Sequence, residues 1–527
     1  MGMSTARRQN VKVERKLQTV SKNGYYNTYV PNALAEENIF LNLPMEENEL
    51  PAYEAVRSSL PKPFWQGNDS VIDCYWKAWE LAFDHLRKPD ANNGFVANYI
   101  DTAFNDCIFM WDTCFILMFA KYGHRVFSFQ RTLDNFYVKQ HPDGFICRQL
   151  SMTDGEDRFH RYDPTSTGPN VMAWSEWEYY GITGDTERLH DVFPVLAAYH
   201  RWLKAYRTWP DGTYWSSGWG AGMDNQPRMP AHMPHQADEF YHGHLAWIDT
   251  CLQQMLSAKL ILQIANTVGR EVEVQDLQEE RDRLAALINE RMWDDETAFY
   301  YDLKPDQEWL GMKSIGAYWA LIADVVPQER IERFIAHLEN PNEFNRPHRI
   351  PSLSADDPCY RPEGDYWRGG VWMPTNYMTL RGLTLHGYDA LAHDIALTHV
   401  MNVAEVFEHT GTIWENYAPD RIERGDPSKP NFVGWSGLAP IAVLFEYVFG
   451  LRAAASGAKL VWDVRVLEEH GIERYPFGNE GLLDLKCAAR TAATDKPDIQ
   501  VSSNVPLTLV LRWEGGEEAV RVPASRE

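Results

Sequence analysis

The feature that most constrains this chain is a series of helix-length segments, arranged in pairs, between residues 70 and 450. Within each pair the joint is short and carries Gly, Pro or Asp, whereas connections of roughly 20 to 35 residues separate the pairs. Apolar periodicity and stop signals place about twelve helices, approximately at 70–88, 110–123, 125–140, 169–183, 186–207, 243–269, 274–293, 313–326, 328–340, 371–387, 389–409 and 435–450.

Six of these segments are predicted to be inner helices, beginning near 110, 169, 243, 313, 371 and 435. The segment 435–450 is apolar nearly all round, which is typical of a helix with protein on every side. Six hairpins, each with an inner and an outer helix, predict an all-α fold, an (α/α)6 toroid whose long connections build one funnel. An open solenoid gives the same order of helices. Closure is favoured because the terminal helices are no more polar than the others.

Beyond residue 456 the pattern changes from helical periodicity to alternation. Segments 460–466, 481–485 and 507–513 alternate, and Gly515 with Gly516 marks a hairpin turn. A small C-terminal antiparallel β module is therefore predicted for 456–527, after a barrel at 66–455. Residues 1–65 lack clear periodicity and are interpreted as an N-terminal arm or a few short strands.

Charge and aromatic content narrow the classes of partner. The 527 residues carry a formal net charge of -24 without a Lys/Arg stripe, so nucleic acid and membrane surfaces are not expected as partners. Aromatic residues make up 13% of the chain, which favours a neutral, sugar-like ligand. Seven cysteines without CxxC spacing, and an amino terminus without a signal-like apolar run, predict a cytoplasmic protein with free thiols. Monomer and homo-oligomer both stay open.

Two carboxyl groups in long connections are candidates for proton transfer. Asp224 lies among Trp215, Trp219 and Met223, an apolar setting that raises a carboxyl pKa towards that of a general acid. A turn or capping role is the alternative. Glu415 lies between Trp414 and Tyr417, and neighbouring donors could keep it ionised as a general base; an ordinary loop Glu is the alternative. Across one funnel, carboxyls about 6.5 to 9.5 Å apart are what inversion at a glycosidic carbon requires.

Further polar and aromatic residues of the long connections are candidates for substrate binding. Arg368 could hold sugar hydroxyls in a fork or bridge two loops, and Asp112 could bind sugar or cap its helix. The complete set of candidate substrate-binding residues is Trp111, Asp112, Trp219, Asn225, Tyr366, Trp367, Arg368, Trp372, Asn376, Tyr417 and Trp435.

A histidine cluster, His232, His235, His242 and His244, does not match the spacing of HExxH-type metal sites. No metal is therefore predicted. No organic cofactor is predicted either, because both proton transfers use side chains.

Four stretches occur together and in order: Trp111-Asp112-Thr113, GMDNQP at 222–227, YWRGGVWMPTNY at 366–377 and WENY at 414–417. With these, roughly residues 70 to 455 resemble the inverting α-glycosidases of glycoside hydrolase family 63. Within that family the resemblance is to the bacterial mannosylglycerate and glucosylglycerate hydrolase group, with trehalases as more distant kin.

The resemblance implies an (α/α)6 barrel, a general acid at Asp224 and a general base at Glu415. It also implies sugar binding in the non-reducing-end subsite by Trp111, Asp112, Trp367, Arg368 and Asn376. The acid stands in GMDNQPR rather than the trehalase-like GWDFSSR, which argues against trehalose as substrate. About 65 amino-terminal residues cannot hold the large β-sandwich of many members.

The predicted function is an exo-acting, inverting α-glycosidase that hydrolyses a small glycoside or oligosaccharide, with Asp224 as acid and Glu415 as base. A sugar epimerase or lyase on the same toroid is the rival enzyme, and His232 to His244 could supply its proton carriers. A non-catalytic carbohydrate-binding protein is the rival from another class.

Overall fold

A computed structural model describes residues 18–22, 25–229, 233 and 237–525 of the chain. Its α-helices are α1 (Tyr53–Val56), α2 (Asp69–Asp84), α3 (Met110–Ala120), α4 (Asp134–Tyr137), α5 (Met172–Thr183), α6 (Thr186–Tyr206), α7 (Gly218–Ala221), α8 (Ala237–Phe240), α9 (Ile248–Val268), α10 (Gln275–Leu287), α11 (Trp319–Ile322), α12 (Gln328–Ile335), α13 (Met373–Leu385) and α14 (Asp389–Thr410). Two further segments, Ile288–Met292 and Ala439–Val448, are π-helical. The strands are β1 (Gln18–Lys22), β2 (Tyr25–Tyr29), β3 (Lys62–Trp65), β4 (Leu86–Arg87), β5 (Tyr99–Ile100), β6 (Cys107–Phe109), β7 (Gln149–Ser151), β8 (Trp293–Asp294), β9 (Phe299–Tyr300), β10 (Leu451–Ala454), β11 (Lys459–Asp463), β12 (His470–Phe477), β13 (Gly481–Cys487), β14 (Ile499–Ser503), β15 (Leu507–Trp513) and β16 (Gly516–Val522).

The helices fall into wholly buried and half-buried kinds. Every residue of α3 is buried, and so is every residue of the π-helical segment Ala439–Val448. Helix α10 buries only Leu277, Glu280 and Leu284. This difference follows from the sequence, since α3 is apolar on all sides whereas α10 presents charged residues to water.

Contacts between the buried helices run in a cycle. Helix α3 packs against α5, α5 against α9, α9 against α11, and α11 against α13. The π-helical segment contacts both α13 and α3, so the last member of the series meets the first. Helices α6, α10 and α14 pack on the outside of this series, against α9, α9 and α13 respectively.

Two predicted helices are largely replaced by other structure. The segment 125–140 contains only a 3-10 turn, Phe129–Leu133, and the four-residue α4. Its polar side chains bind a neighbouring extended segment instead: the Asn135 side-chain oxygen accepts the Val96 and Ala97 N–H groups. Such side-chain bonds compete with helix formation. The segment 313–326 likewise holds only a 3-10 turn, Ile315–Tyr318, and the four-residue α11.

The carboxyl-terminal strands form two four-stranded sheets with the orders β10-β11-β15-β16 and β14-β13-β12-β3. Pairing is antiparallel, as predicted, except between β11 and β15, which run parallel. The parallel pair arises because β12, β13 and β14 intervene in the other sheet before the chain returns. Strand β3, from the amino-terminal segment, pairs with β12.

Among the residues described, no helix is both long and apolar enough to cross a lipid bilayer.

Candidate active site

The two carboxyl groups predicted to transfer protons meet at one pocket. Its empty space is about 530 Å³, part of which is open to solvent. Asp224 lines it directly. Glu415 lies beside it, where the Tyr366 hydroxyl donates a 2.8 Å hydrogen bond to Glu415 Oε1. The lining residues are Phe104, Phe109, Trp111, Asp112, Arg148, Gly168, Pro169, Trp219, Gly222, Asp224, Tyr366, Trp367 and Trp435.

A tight loop presents Asp224. The short helix α7 ends at Gly222, which has a left-handed φ of 73°. At Gly218 a Cβ atom would lie 2.1 Å from the Asp224 carbonyl oxygen, so only glycine fits there. The loop therefore folds closely over its own helix and fixes the direction of the carboxyl group.

The residues that follow Asp224 anchor this loop to other long connections. Gln226 donates to the Ser352 carbonyl at 2.8 Å, and its side-chain oxygen accepts from the Ser314 hydroxyl at 2.8 Å. Arg228 forms a buried ion pair with Asp249 at 2.7 Å. Three separate parts of the chain thus hold the Asp224 loop in place.

Burial dominates the electrostatics of Asp224. It raises the pKa of the carboxyl from its ordinary 3.8 to about 7. The positive charge of Arg148 opposes this rise in pKa, while the charges of Glu239 and Glu415 add to it. Asp224 can therefore carry a proton near neutral pH.

Glu415 is held by donors on both carboxylate oxygens. Tyr366 donates to Oε1, and the Lys429 backbone N–H donates to Oε2 at 3.2 Å. The Glu415 carbonyl accepts from the Trp435 indole at 2.8 Å. Burial raises the pKa of Glu415, and the two hydrogen bonds oppose that rise because they stabilise the ionised form.

The turn that carries Tyr366 is strained. Asp365 and Tyr366 are both left-handed, with φ of 37° and 63°. Non-glycine residues hold such angles only when surrounding contacts enforce them. Asn225 supplies those contacts: its amide donates to the Asp365 carbonyl at 2.9 Å, and its oxygen accepts the Trp367 N–H at 2.8 Å.

A third carboxyl group and a free indole donor face the same pocket. Burial raises the pKa of Asp112 to about 8, and the charges of Glu415 and Asp224 push it in the same direction. The Trp111 indole N–H is buried and has no hydrogen-bond partner among the described residues. A buried donor without a partner is costly, so a hydrogen bond from this indole to a bound ligand hydroxyl would be favourable.

Stacked indoles form one wall of the pocket. Trp367 and Trp372 stack with centroids 4.0 Å apart and planes 3° from parallel. Trp435 packs edge-on against Trp372 at 5.5 Å. Flat apolar surfaces of this kind suit the apolar faces of a sugar ring.

The match to known proteins agrees with this geometry. Residues 107–436 match the family described as the mannosylglycerate hydrolase MGH1-like glycoside hydrolase domain, which is more than half of the chain. The chain belongs to this glycoside hydrolase family.

Relatives and solved structures place this glycoside hydrolase near family 63. An uncharacterized protein from Borreliella burgdorferi is 25% identical over 434 residues, 79% of this chain and 87% of that protein. Mannosylglycerate hydrolase of Thermus thermophilus is 24% identical over 349 residues, 54% of this chain and 83% of that enzyme. The structure of GH63 mannosylglycerate hydrolase from Thermus thermophilus in complex with Tris and D-glycerate has a similar fold, with a TM-score of 0.56 at 21% identity, covering 69% of this chain and 98% of that one.

Several predicted binding residues of the glycoside hydrolase lie behind the pocket rather than in it. Asn376 is fully buried and binds the Ile350 N–H and the Arg349 carbonyl. The Tyr417 hydroxyl accepts the Trp414 N–H at 3.2 Å. Their hydrogen bonds are internal, so the structure does not bring these two groups to a sugar.

Three other candidates support the pocket instead of lining it. Trp372 backs Trp367, and Asn225 uses both ends of its amide to hold the strained turn. Arg368 donates to the Asn225 carbonyl at 3.0 Å and pairs with Asp238 at 3.1 Å. These contacts of Arg368 fit a role in bridging two loops, which is one of the two roles that the sequence indicates.

Sequence reasoning missed several residues that line the pocket, among them Arg148 and Phe104. The signal for Arg148 is a single cation that follows the apolar residues Phe145, Ile146 and Cys147. Phe104 is 41% exposed, and its carbonyl accepts a hydrogen bond from the Lys429 ammonium. No local pattern distinguishes this phenylalanine from others in the chain.

Two residues of the histidine cluster, His232 and His235, lie outside the described residues. His242 and His244 pack on Trp209, with ring centroids 5.3 and 5.8 Å away, and neither lines the pocket. Within the described ranges, no group of three or more His, Cys, Asp or Glu side chains is placed to hold a metal ion.

Replacing Trp111 with phenylalanine tests the free indole donor. We expect kcat/KM to fall about 3- to 10-fold, the worth of one neutral hydrogen bond of ~0.5–1.5 kcal/mol. Trp462, whose buried indole N–H is also unpartnered among the described residues, provides the matched control in the β strands. Trp462→Phe should lower the melting temperature about as much as Trp111→Phe does. It should not change kcat/KM. Equal kcat/KM in both variants would show that the Trp111 donor does not meet the substrate.

Proposed function

We propose that this glycoside hydrolase is an exo-acting, inverting α-glycosidase in which Asp224 is the general acid and Glu415 the general base. The observation that carries the proposal is that Asp224 lines an aromatic-walled pocket while Glu415 is hydrogen-bonded to another lining residue, Tyr366, and that the two carboxyl groups have contrasting settings. Among the described residues, no side-chain donor forms a hydrogen bond to the Asp224 carboxyl group, whereas Glu415 accepts hydrogen bonds on both oxygens. When two neighbouring carboxyl groups lie in environments that push their pKa values apart, the difference is the usual basis for assigning one as the acid and the other as the base.

We also propose that the helices form an (α/α)6 toroid, built from residues 66–455, between an N-terminal arm at 1–65 and a β module at 456–527. The cycle of contacts from α3 through α13 and back by way of Ala439–Val448 supports closure over an open solenoid. In a closed ring the long connections lie on one face, which accounts for the convergence of residues from four of them on one pocket.

In the proposed reaction, the bond between the anomeric carbon and the glycosidic oxygen breaks, and the oxygen takes the Asp224 proton. A water molecule on the opposite face of the ring gives its proton to Glu415 and bonds to the anomeric carbon. The configuration inverts because water attacks opposite the leaving group. Trp111 and Asp112, at the start of α3, would bind the terminal sugar, and Trp367 would pack against its ring.

The rival assignment of an epimerase or lyase needs a pair of proton-carrying histidines in the pocket. Of the described members of the histidine cluster, His242 and His244, neither lines it, and His232 and His235 lie outside the described residues. The rival assignment as a sugar-binding protein without activity is disfavoured by membership of a hydrolase family.

The direct test is hydrolysis of α-linked gluco-, manno- and galacto-disaccharides and of glycosylglycerates, followed by anomer-resolved NMR. Glycosylglycerates are included because the Thermus relative is a mannosylglycerate hydrolase. We expect the β anomer of the released sugar to appear first. Initial release of the α anomer would contradict the proposed roles of Asp224 and Glu415.

The pKa of Asp224 predicts the alkaline limit of activity. A general acid must be protonated, so kcat/KM should fall as the pH rises above about 7. On the acid side kcat/KM should fall as Glu415 takes up a proton, at a pH above its ordinary pKa of 4.5 because burial raises that pKa. A pH profile of initial rates checks both limits, and constant kcat/KM well into the alkaline range would exclude Asp224 as the acid.

A further inference from the structure

One cation, Arg148, lines the pocket together with Asp112 and Asp224. Its Nε donates a 2.6 Å hydrogen bond to the Thr165 carbonyl. Within the part of the chain that the structure describes, its side chain forms no other hydrogen bond and no ion pair within 4.0 Å. The terminal guanidinium N–H groups are therefore not committed to a structural partner.

Aromatic rings and backbone contacts hold this guanidinium in position. Its carbon lies 4.8 Å from the ring centre of Phe159 and 5.3 Å from that of Trp219. The Arg148 carbonyl accepts the Met110 N–H at 2.8 Å, at the start of the helix that carries Asp112. Because Trp219 belongs to α7, just before the Asp224 loop, Arg148 touches the elements that carry two of the three carboxyl groups.

The cation acts unequally on the three carboxyl groups. Its charge lowers the pKa of Asp224 and of Asp112, whereas the cation that lowers the pKa of Glu415 is Lys429. Burial lowers the pKa of Arg148 itself, so the site bears the cost of a buried cation without a close counter-ion.

Hydrolysis moves negative charge from one end of the pocket to the other. Before reaction Glu415 is ionised and Asp224 is protonated; after the two proton transfers Asp224 is ionised and Glu415 is protonated. We propose that Arg148 is a positioning residue that stabilises the carboxylate formed on Asp224 as the leaving oxygen takes its proton. This inference rests on the proposed function and deepens it, because it assigns a cause to the ease of proton donation.

Other charged or titratable groups also act on Asp224 and must stay constant in the test. They are Glu239 in α8, Asp112 in α3, and Tyr366 and Glu415 in the long connections. None of them is changed in the variants below.

The experiment compares Arg148→Met with Arg148→Lys by measuring kcat/KM against pH. Loss of the charge should raise the alkaline limit on the order of 1 pH unit, and should also lower kcat about 10-fold on substrates with poor leaving groups. On the corresponding glycosyl fluoride, which needs no proton from Asp224, the loss should be much smaller. Arg148→Lys should return the alkaline limit towards that of the wild type.

In Arg148→Met, activity at the plateau of the pH profile should be lower while the alkaline limit lies at a higher pH. General structural damage does not produce this combination. Arg330→Met is the matched control, since Arg330 also stacks on an indole, with its carbon 4.9 Å from the Trp293 ring, and does not line the pocket. An unchanged alkaline limit in Arg148→Met would overturn the inference. If that variant does not fold, Arg148→Gln removes the charge but keeps a donor near Thr165 and carries the same test. Failure of the proposed function would appear separately, as retained configuration with the wild-type enzyme.

Discussion

Asp224→Asn is expected to lower kcat about 10²- to 10⁴-fold on glycosides with poor leaving groups, which is the usual contribution of a general acid. On the α-glycosyl fluoride of the same sugar the variant should retain most of its activity, because fluoride departs without a proton. The ratio of the two rates therefore measures proton donation itself. Steady-state kinetics on both substrates, with the product anomer followed by NMR, provides the measurement.

The same substitution is expected to change stability in a direction opposite to its effect on activity. The folded-state pKa of Asp224 is about 7 against an ordinary 3.8, so the carboxyl favours folding at low pH, and this contribution is lost as the pH rises through that range. An amide does not titrate. Asp224→Asn should therefore melt at a higher temperature than the wild type at pH values above about 7, with the difference shrinking towards about pH 4.

Asp357→Asn provides the control for loss of an aspartate whose pKa is raised by burial. The Asp357 carboxylate accepts the Cys359 N–H, and the residue does not line the pocket. This variant should change the melting temperature but not the ratio of glycoside to fluoride rates. Similar loss on both substrates in Asp224→Asn would contradict its role as acid.

The sequence was informative where a property is local. Aromatic neighbours in the chain indicate that Asp224 and Glu415 are enclosed; in the structure Asp224 lines the pocket and Glu415 lies beside it, bonded to Tyr366. The donor that holds Glu415 was not found, because Tyr366 is 49 residues away and reaches the carboxylate only through a strained turn. Contacts between long connections are set by the fold, and neither connection has a sequence periodicity that predicts them.

The same limit explains why Asn225 was interpreted as a sugar ligand. Its position next to Asp224 is equally compatible with binding a sugar and with holding a loop, and only the distant partners Asp365 and Trp367 distinguish the two roles.

The prediction of helices from periodicity is limited by side-chain hydrogen bonds that compete with helix formation. The segment 125–140 has helical periodicity, yet Asn135 and Thr132 bond to the extended residues 96–100.

Glu415→Gln is expected to lower kcat about 10²- to 10⁴-fold on glycosides and on the glycosyl fluoride alike. Both substrates need an activated water, and a neutral amide cannot take its proton. The amide oxygen of the variant can accept the Lys429 N–H while its NH2 donates to the Tyr366 hydroxyl oxygen, so the geometry of the pocket should be kept while the carboxylate is lost. Equal loss on the two substrates separates this variant from Asp224→Asn, and full activity on the fluoride would contradict the role of Glu415.

Tyr366→Phe extends this test, because it leaves the Glu415 carboxylate in place and removes one of its donors. Without the 2.8 Å hydrogen bond the pKa of Glu415 should rise further, since burial is then opposed mainly by the Lys429 N–H and the charge of its ammonium. A base with a higher pKa becomes protonated at a higher pH, so the acid limit of kcat/KM should move upward while the alkaline limit, set by Asp224, moves much less. A shift of the alkaline limit alone would mean that the two carboxyl groups have exchanged roles.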